Sequence, residues 1–103
     1  MTEIEWNKFQ MDYVRLEPGT AKNLKLTNWR QDTIFSKPGL RFDVAEEDSE
    51  PVNKVFSTTS KRLIKELQPI ILKAEEQGIR IISVTIRKIG EGLDTSYAVE
   101  ENG

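Results

Sequence analysis

The order of periodic segments constrains this chain more than any single motif. Three strand-like stretches come first, at residues 23–31 (NLKLTNWRQ), 39–46 (GLRFDVAE) and 52–58 (VNKVFST). One amphipathic stretch with helical spacing follows at 60–77, and two further strands at 79–88 (IRIISVTIRK) and 94–100 (DTSYAVE) are joined by a glycine-rich turn. Alternation of apolar and polar residues marks the strands, and recurrence at three and four marks the helix. The order β-β-β-α-β-β in 103 residues describes a single, mainly β domain with one helix.

Composition removes several kinds of chemistry. The chain has no cysteine and no histidine, so disulfides, thiol catalysis and a histidine general base or metal ligand are out of reach. No apolar run approaches the roughly 18 residues of a membrane span, and no leader is recognisable. A cytoplasmic protein without cofactor is the expectation. The acidic run Glu46-Glu47-Asp48-Ser49-Glu50 lacks the ligand spacing and turn glycine of a dedicated calcium loop and reads as solvated, so no metal site is expected. With no isolated carboxylate pair either, an enzyme is the third choice.

The formal net charge is −2, but its distribution is uneven. From Tyr13 to Val44 there are six basic and three acidic residues; from Lys54 to Lys88 there are eight basic residues against Glu66, Glu75 and Glu76. The acids gather at Glu3 and Glu5, in the 46–50 run and from Glu91 onward. The central strands are therefore basic, and either an ordinary mixed surface or a polyanion-binding face follows, depending on how the segments fold together.

Local signals place the turns and the helix. Pro18-Gly19 and Lys37-Pro38-Gly39 read as turns, the second between the first two strands. Ser60 suits an N-cap, Leu63, Ile64, Leu67, Ile70, Ile71 and Ala74 form one stripe, and Gly78 ends the helix. Pro69 falls in its interior, which predicts a kink or two short helices. In residues 1–16, Trp6, Phe9, Tyr13 and Leu16 share a helical face, yet Tyr13-Val14-Arg15-Leu16 also suits a strand.

Alternation assigns faces. Leu24 and Leu26 share one face of the first strand, and Lys25, Thr27 and Trp29 the other. Leu40, Phe42 and Val44 point inward in the second, leaving Arg41 and Asp43 outside; Ile82, Val84 and Ile86 point inward in the fourth. In the third, Val55 inward leaves Lys54 and Phe56 outside. Trp29 and Phe56 would then each stand beside a lysine. Bases stack on exposed rings at roughly 1–3 kcal/mol each while cations meet phosphates. The alternative is that both rings are core, Trp29 being turned inward by a bulge after Thr27. Arg87 and Lys88 would line the rim of such a groove, with Tyr97 as a further ring.

A Pro-Gly turn, a strand ending in Asn28-Trp29, the segment Lys54-Val55-Phe56-Ser57-Thr58-Thr59-Ser60-Lys61-Arg62-Leu63 entering a helix, and a final Arg-x-x-Gly-x-Gly-x-x-Thr-x-Tyr from Arg87 to Tyr97 together cover residues 13–100. This pattern resembles the small single-stranded-DNA-binding OB domains of archaea, their viruses and bacteriophages. The resemblance implies a five-stranded OB-like barrel that binds single-stranded DNA (or RNA) without strong sequence specificity, in replication, recombination or repair. The matching positions are Lys25, Trp29, Arg41, Lys54, Phe56, Arg87 and Tyr97. The tail Glu100-Glu101-Asn102-Gly103 lacks the acidic, aromatic tip with which many bacterial relatives recruit partners. The alternative is a protein-interaction or assembly module, homo-oligomeric through Trp6, Phe9 or an unpaired strand edge.

Overall fold

A computed structural model describes residues 12–102; Trp6 and Phe9 lie outside the described residues. Five antiparallel strands form one sheet: β1 (Ala21–Ile34), β2 (Lys37–Glu47), β3 (Glu50–Thr58), β4 (Ile81–Ile89) and β5 (Ser96–Glu101). Their spatial order is β3-β2-β1-β4-β5, so the long first strand is the spine. One helix, α1 (Lys61–Glu76), connects β3 to β4, and a single 3-10 turn at Gly92–Asp94 precedes β5. No helix among the described residues is long and apolar enough to cross a membrane.

Both early hairpins close with two-residue turns in the left-handed region, Phe35-Ser36 (φ 49° and 64°) and Asp48-Ser49 (φ 51° and 70°), whose twist matches that of antiparallel strands. The expected Lys37-Pro38-Gly39 turn is thus corrected. Pro38 and Gly39 are strand residues, opposite Thr33 and Asp32. Gly39 is needed there for space: a Cβ would lie 2.5 Å from the Thr58 carbonyl oxygen and 2.8 Å from Ile34 Cδ1. The acidic run forms the second of these turns, with Glu47 paired with Glu50 and Glu46 with Pro51.

The core forms where the sheet's inner face meets α1. Leu24, Leu26, Phe42, Val44, Ile82, Val84 and Ile86 are buried against Leu63, Leu67, Ile71 and Ala74, as alternation and the helical stripe predict. The Ser60 side chain accepts a hydrogen bond from the Leu63 amide at 3.3 Å and caps the helix. The helix runs unbroken through Pro69, so two short helices are not formed. Pro69 and Lys65 are both exposed, which leaves the carbonyl deprived of its partner open to hydration.

β3 has the opposite phase to the one expected. Its register sets Phe56 opposite Phe42, ring centroids 6.0 Å apart, and leaves Phe56 only 3% exposed. Val55 is buried as well, because the N-terminal segment runs along that edge. The Val14 amide donates to the Val55 carbonyl, and the Val55 amide to that of Asp12. Val14 joins the core, and Gly19 donates to Lys88 at the far end of β4, so residues 12–19 tie β3 to β4.

Candidate nucleic-acid interface

Folding pairs most of the basic strand residues with the acids from which the sequence separates them. The β2–β3 turn carries Glu46 and Glu47 back beside β1, where Lys25 meets Glu46 at 2.6 Å and Lys22 meets Glu47 at 3.0 Å. Lys54 reaches the other Glu47 oxygen at 2.7 Å, and Arg41 meets Asp32 at 3.0 Å. Such pairs are individually weak at a wet surface. They nonetheless place a carboxylate where a phosphate would have to sit, so Lys25, Arg41 and Lys54 are poorly disposed to bind one.

Glu47 is the best-held acid of this group. The hydrogen bond from Lys54 holds its carboxyl below the ordinary value of 4.5, with help from Lys22 and against partial desolvation. A carboxylate with a depressed folded-state pKa contributes stability above its unfolded value and loses it as pH falls through the folded value. Acid titration of stability should therefore show a decline beginning near pH 4.5. Glu47→Gln should flatten that decline in urea denaturation series across acidic pH.

Trp29 does not stand beside Lys25. The β1–β2 pairing slips between Thr27 and Arg30, with Asn28 in the left-handed region at φ 50°, and the bulge reverses the alternation. The indole turns to the helix side, half-buried against the core, and its N–H donates to Glu75 at 2.9 Å. It separates a cleft of about 590 Å³ toward Ile79 and Arg80 from one of about 380 Å³ toward Ile64 and Leu72. Phe56, in the core, offers no stacking surface.

The last group comes together better. Lys88 and Tyr97 are directly opposed on β4 and β5 and share the inner face beyond Ile86 and Val99, where the core ends. With Ser60, Lys61, Arg62, Leu93 and Thr95 they line a cleft of about 540 Å³. Arg62 donates to the Thr95 carbonyl at 2.6 Å, which fixes the helix start against the β4–β5 loop. That loop turns sharply at Gly90, where a Cβ would lie 2.7 Å from the Asp94 carbonyl oxygen, and it carries Leu93 almost fully exposed. Arg87 alternates to the opposite face of β4, outside the cleft.

Among the described residues Lys61, Arg62 and Lys88 form no ion pair. Lys61 and Arg62 were not among the sequence candidates, although a signal exists. Two cations directly after an N-cap, with no acid in the first turn, oppose the positive end of the helix dipole. Stability does not ask for them there, and an incoming anion would relieve the repulsion. Exposed Glu91 and Asp94 sit in the adjoining loop. No group of three or more potential metal ligands occurs among the described residues. No family model matches this chain, and neither the curated proteins nor the solved structures contain a match to it.

Proposed function

We propose that this protein binds single-stranded nucleic acid, DNA in the first instance, through the cleft between the start of α1 and the β4–β5 loop. The observation that carries this reading is the gathering of three cations, Lys61, Arg62 and Lys88, that have no carboxylate partner among the described residues, around the half-buried ring of Tyr97. Phosphates would meet the cations while one base stacks on the tyrosine, a combination that tolerates any sequence. The site is thereby moved from the sheet face expected from the sequence to the end of the sheet, retaining Lys88 and Tyr97.

The strand order supports an OB-like reading of the fold. A sheet ordered β3-β2-β1-β4-β5 closes into a five-stranded barrel when its outer strands approach, and the 12–19 segment already links the β3 edge to β4. Binding, rather than catalysis, is the role proposed.

The test is fluorescence anisotropy of a labelled oligothymidylate titrated with protein at low and then moderate salt. Saturable binding should weaken by about 0.7 log units per log unit of salt for each phosphate contacted. Absence of binding at low salt would overturn the proposal.

A further inference from the structure

The structure points to a second surface, and we propose that two copies of this chain pair edge to edge through the outer half of β1. β4 covers β1 only from Ala21 to Thr27, and beyond it β1 is paired, among the described residues, with β2 alone. β3 also stops short, its Thr58 opposite Leu40, so the tip of the β1–β2 hairpin stands out as a two-stranded arm. A strand edge of this kind is a template for another chain.

The charges on the arm's outer face fix both partner and register. Arg30 meets Asp43 at 3.2 Å, and Asp32 meets Arg41 at 3.0 Å, across β1 and β2. A two-fold axis perpendicular to the sheet keeps like faces together, so opposed positions must differ by an even number of residues. An axis at Asp32 sets aspartate against aspartate, and one at Arg30 sets arginine against arginine, both unfavourable. With the axis at Gln31, Arg30 lies opposite the second copy's Asp32, and Asp32 opposite its Arg30. Ion pairs then run diagonally across four strands as Asp43–Arg30–Asp32–Arg41, Arg30 itself lying opposite Arg41 within each copy and neutralised by Asp43. A second copy of this chain is therefore the occupant whose charge pattern matches the edge.

The same register gives the arm's tip a destination. Phe35 is 94% exposed and set at φ 49° by the hairpin turn, an unusual backbone for a bulky residue. In the Gln31 register, allowing for the one-residue bulge before Arg30, Ile34 falls in the row of the second copy's Thr27 and Phe35 lies just beyond it, at the start of β4. There Ile79 and Ile81 are 44% and 46% exposed beside the 590 Å³ cleft lined by Trp29 and Arg80. Pairing would cover the exposed apolar groups of both copies.

Sedimentation equilibrium and cysteine cross-linking, both without nucleic acid, test this. The wild type should populate dimer, and Phe35→Gly should weaken association at least tenfold while staying folded, because glycine accepts the left-handed turn without strain. The chain lacks cysteine. Gln31→Cys, at the axis, should form an intermolecular disulfide on mild oxidation, since directly opposed antiparallel residues lie about 4.5–5.5 Å apart. Asp32→Cys should not pair with itself but should cross-link when mixed with Arg30→Cys. A wild type monomeric at all concentrations, an unaltered Phe35→Gly dimer, or equal self-cross-linking at positions 31 and 32 would each overturn the proposal.

Discussion

Replacing Phe56 by alanine is expected to destabilise the domain by about 3–5 kcal/mol, the usual cost of truncating a buried phenylalanine. The ring is 3% exposed and sits on Phe42, itself fully buried, with Leu63, Leu67 and Val44 in the same core. A domain of this size has a total stability on the order of 5–15 kcal/mol, so the change should remove a large fraction of it and, at the low end of that range, unfold the variant. Urea denaturation followed by circular dichroism measures the change. A loss below about 1 kcal/mol would place the ring at the surface, where a stacking role requires it to be.

The second large effect concerns the cleft. Reversing two of its cations together, in Arg62→Glu with Lys88→Glu, should reduce oligonucleotide affinity at low salt at least a hundredfold. Hydrogen bonds to charged groups are each worth about 1.5–3 kcal/mol, roughly tenfold or more in affinity, and the reversal adds repulsion to their loss. Both side chains lie outside the core, so the domain should stay folded, with a modest loss of thermal stability where Arg62→Glu removes the hydrogen bond to the Thr95 carbonyl. The matching reversal of Lys25 and Lys54 on the sheet should weaken binding far less, because those lysines already face Glu46 and Glu47. Equal losses from the two double variants would mean that a diffuse field, not the cleft, holds the ligand.

The parts of the fold written in short-range patterns were legible in the sequence. Strand and helix order, the inward rows of β1, β2 and β4, and the Ser60 cap all follow from alternation, helical spacing and one local hydrogen bond. Misreadings occurred where a distant partner decides. Val55 and Phe56 are both apolar, so alternation alone could not choose the inner one; Phe42 across the sheet and Val14 along the edge bury both. Pro38-Gly39 has turn chemistry, but Gly39 serves the close approach of Thr58, nineteen residues away. For Trp29 the alternative of a bulge after Thr27 is the one that holds, a one-residue slip whose local sign is Asn28, a residue tolerant of the left-handed region.

The candidate site was legible in part for the same reason. Lys88 and Tyr97 are neighbours across one hairpin, and their segment already suggested a rim. Lys61 and Arg62 join them only because α1 starts beside the β4–β5 loop, an arrangement fixed by Arg62 and Thr95 across 33 residues. The basic character of the strands did not survive folding: the Lys22–Glu47 and Asn23–Asp48 contacts each span 25 residues and bring the acidic turn to them.

The most direct measurement is an amide NMR titration of the isotope-labelled protein with an unlabelled oligothymidylate at low salt. Binding through the cleft predicts that shifts concentrate at Lys61, Arg62, Lys88 and residues 93–97 and reverse on adding salt. Shifts centred on Lys25, Arg41 and Lys54, or no shifts at saturating oligonucleotide, would contradict it.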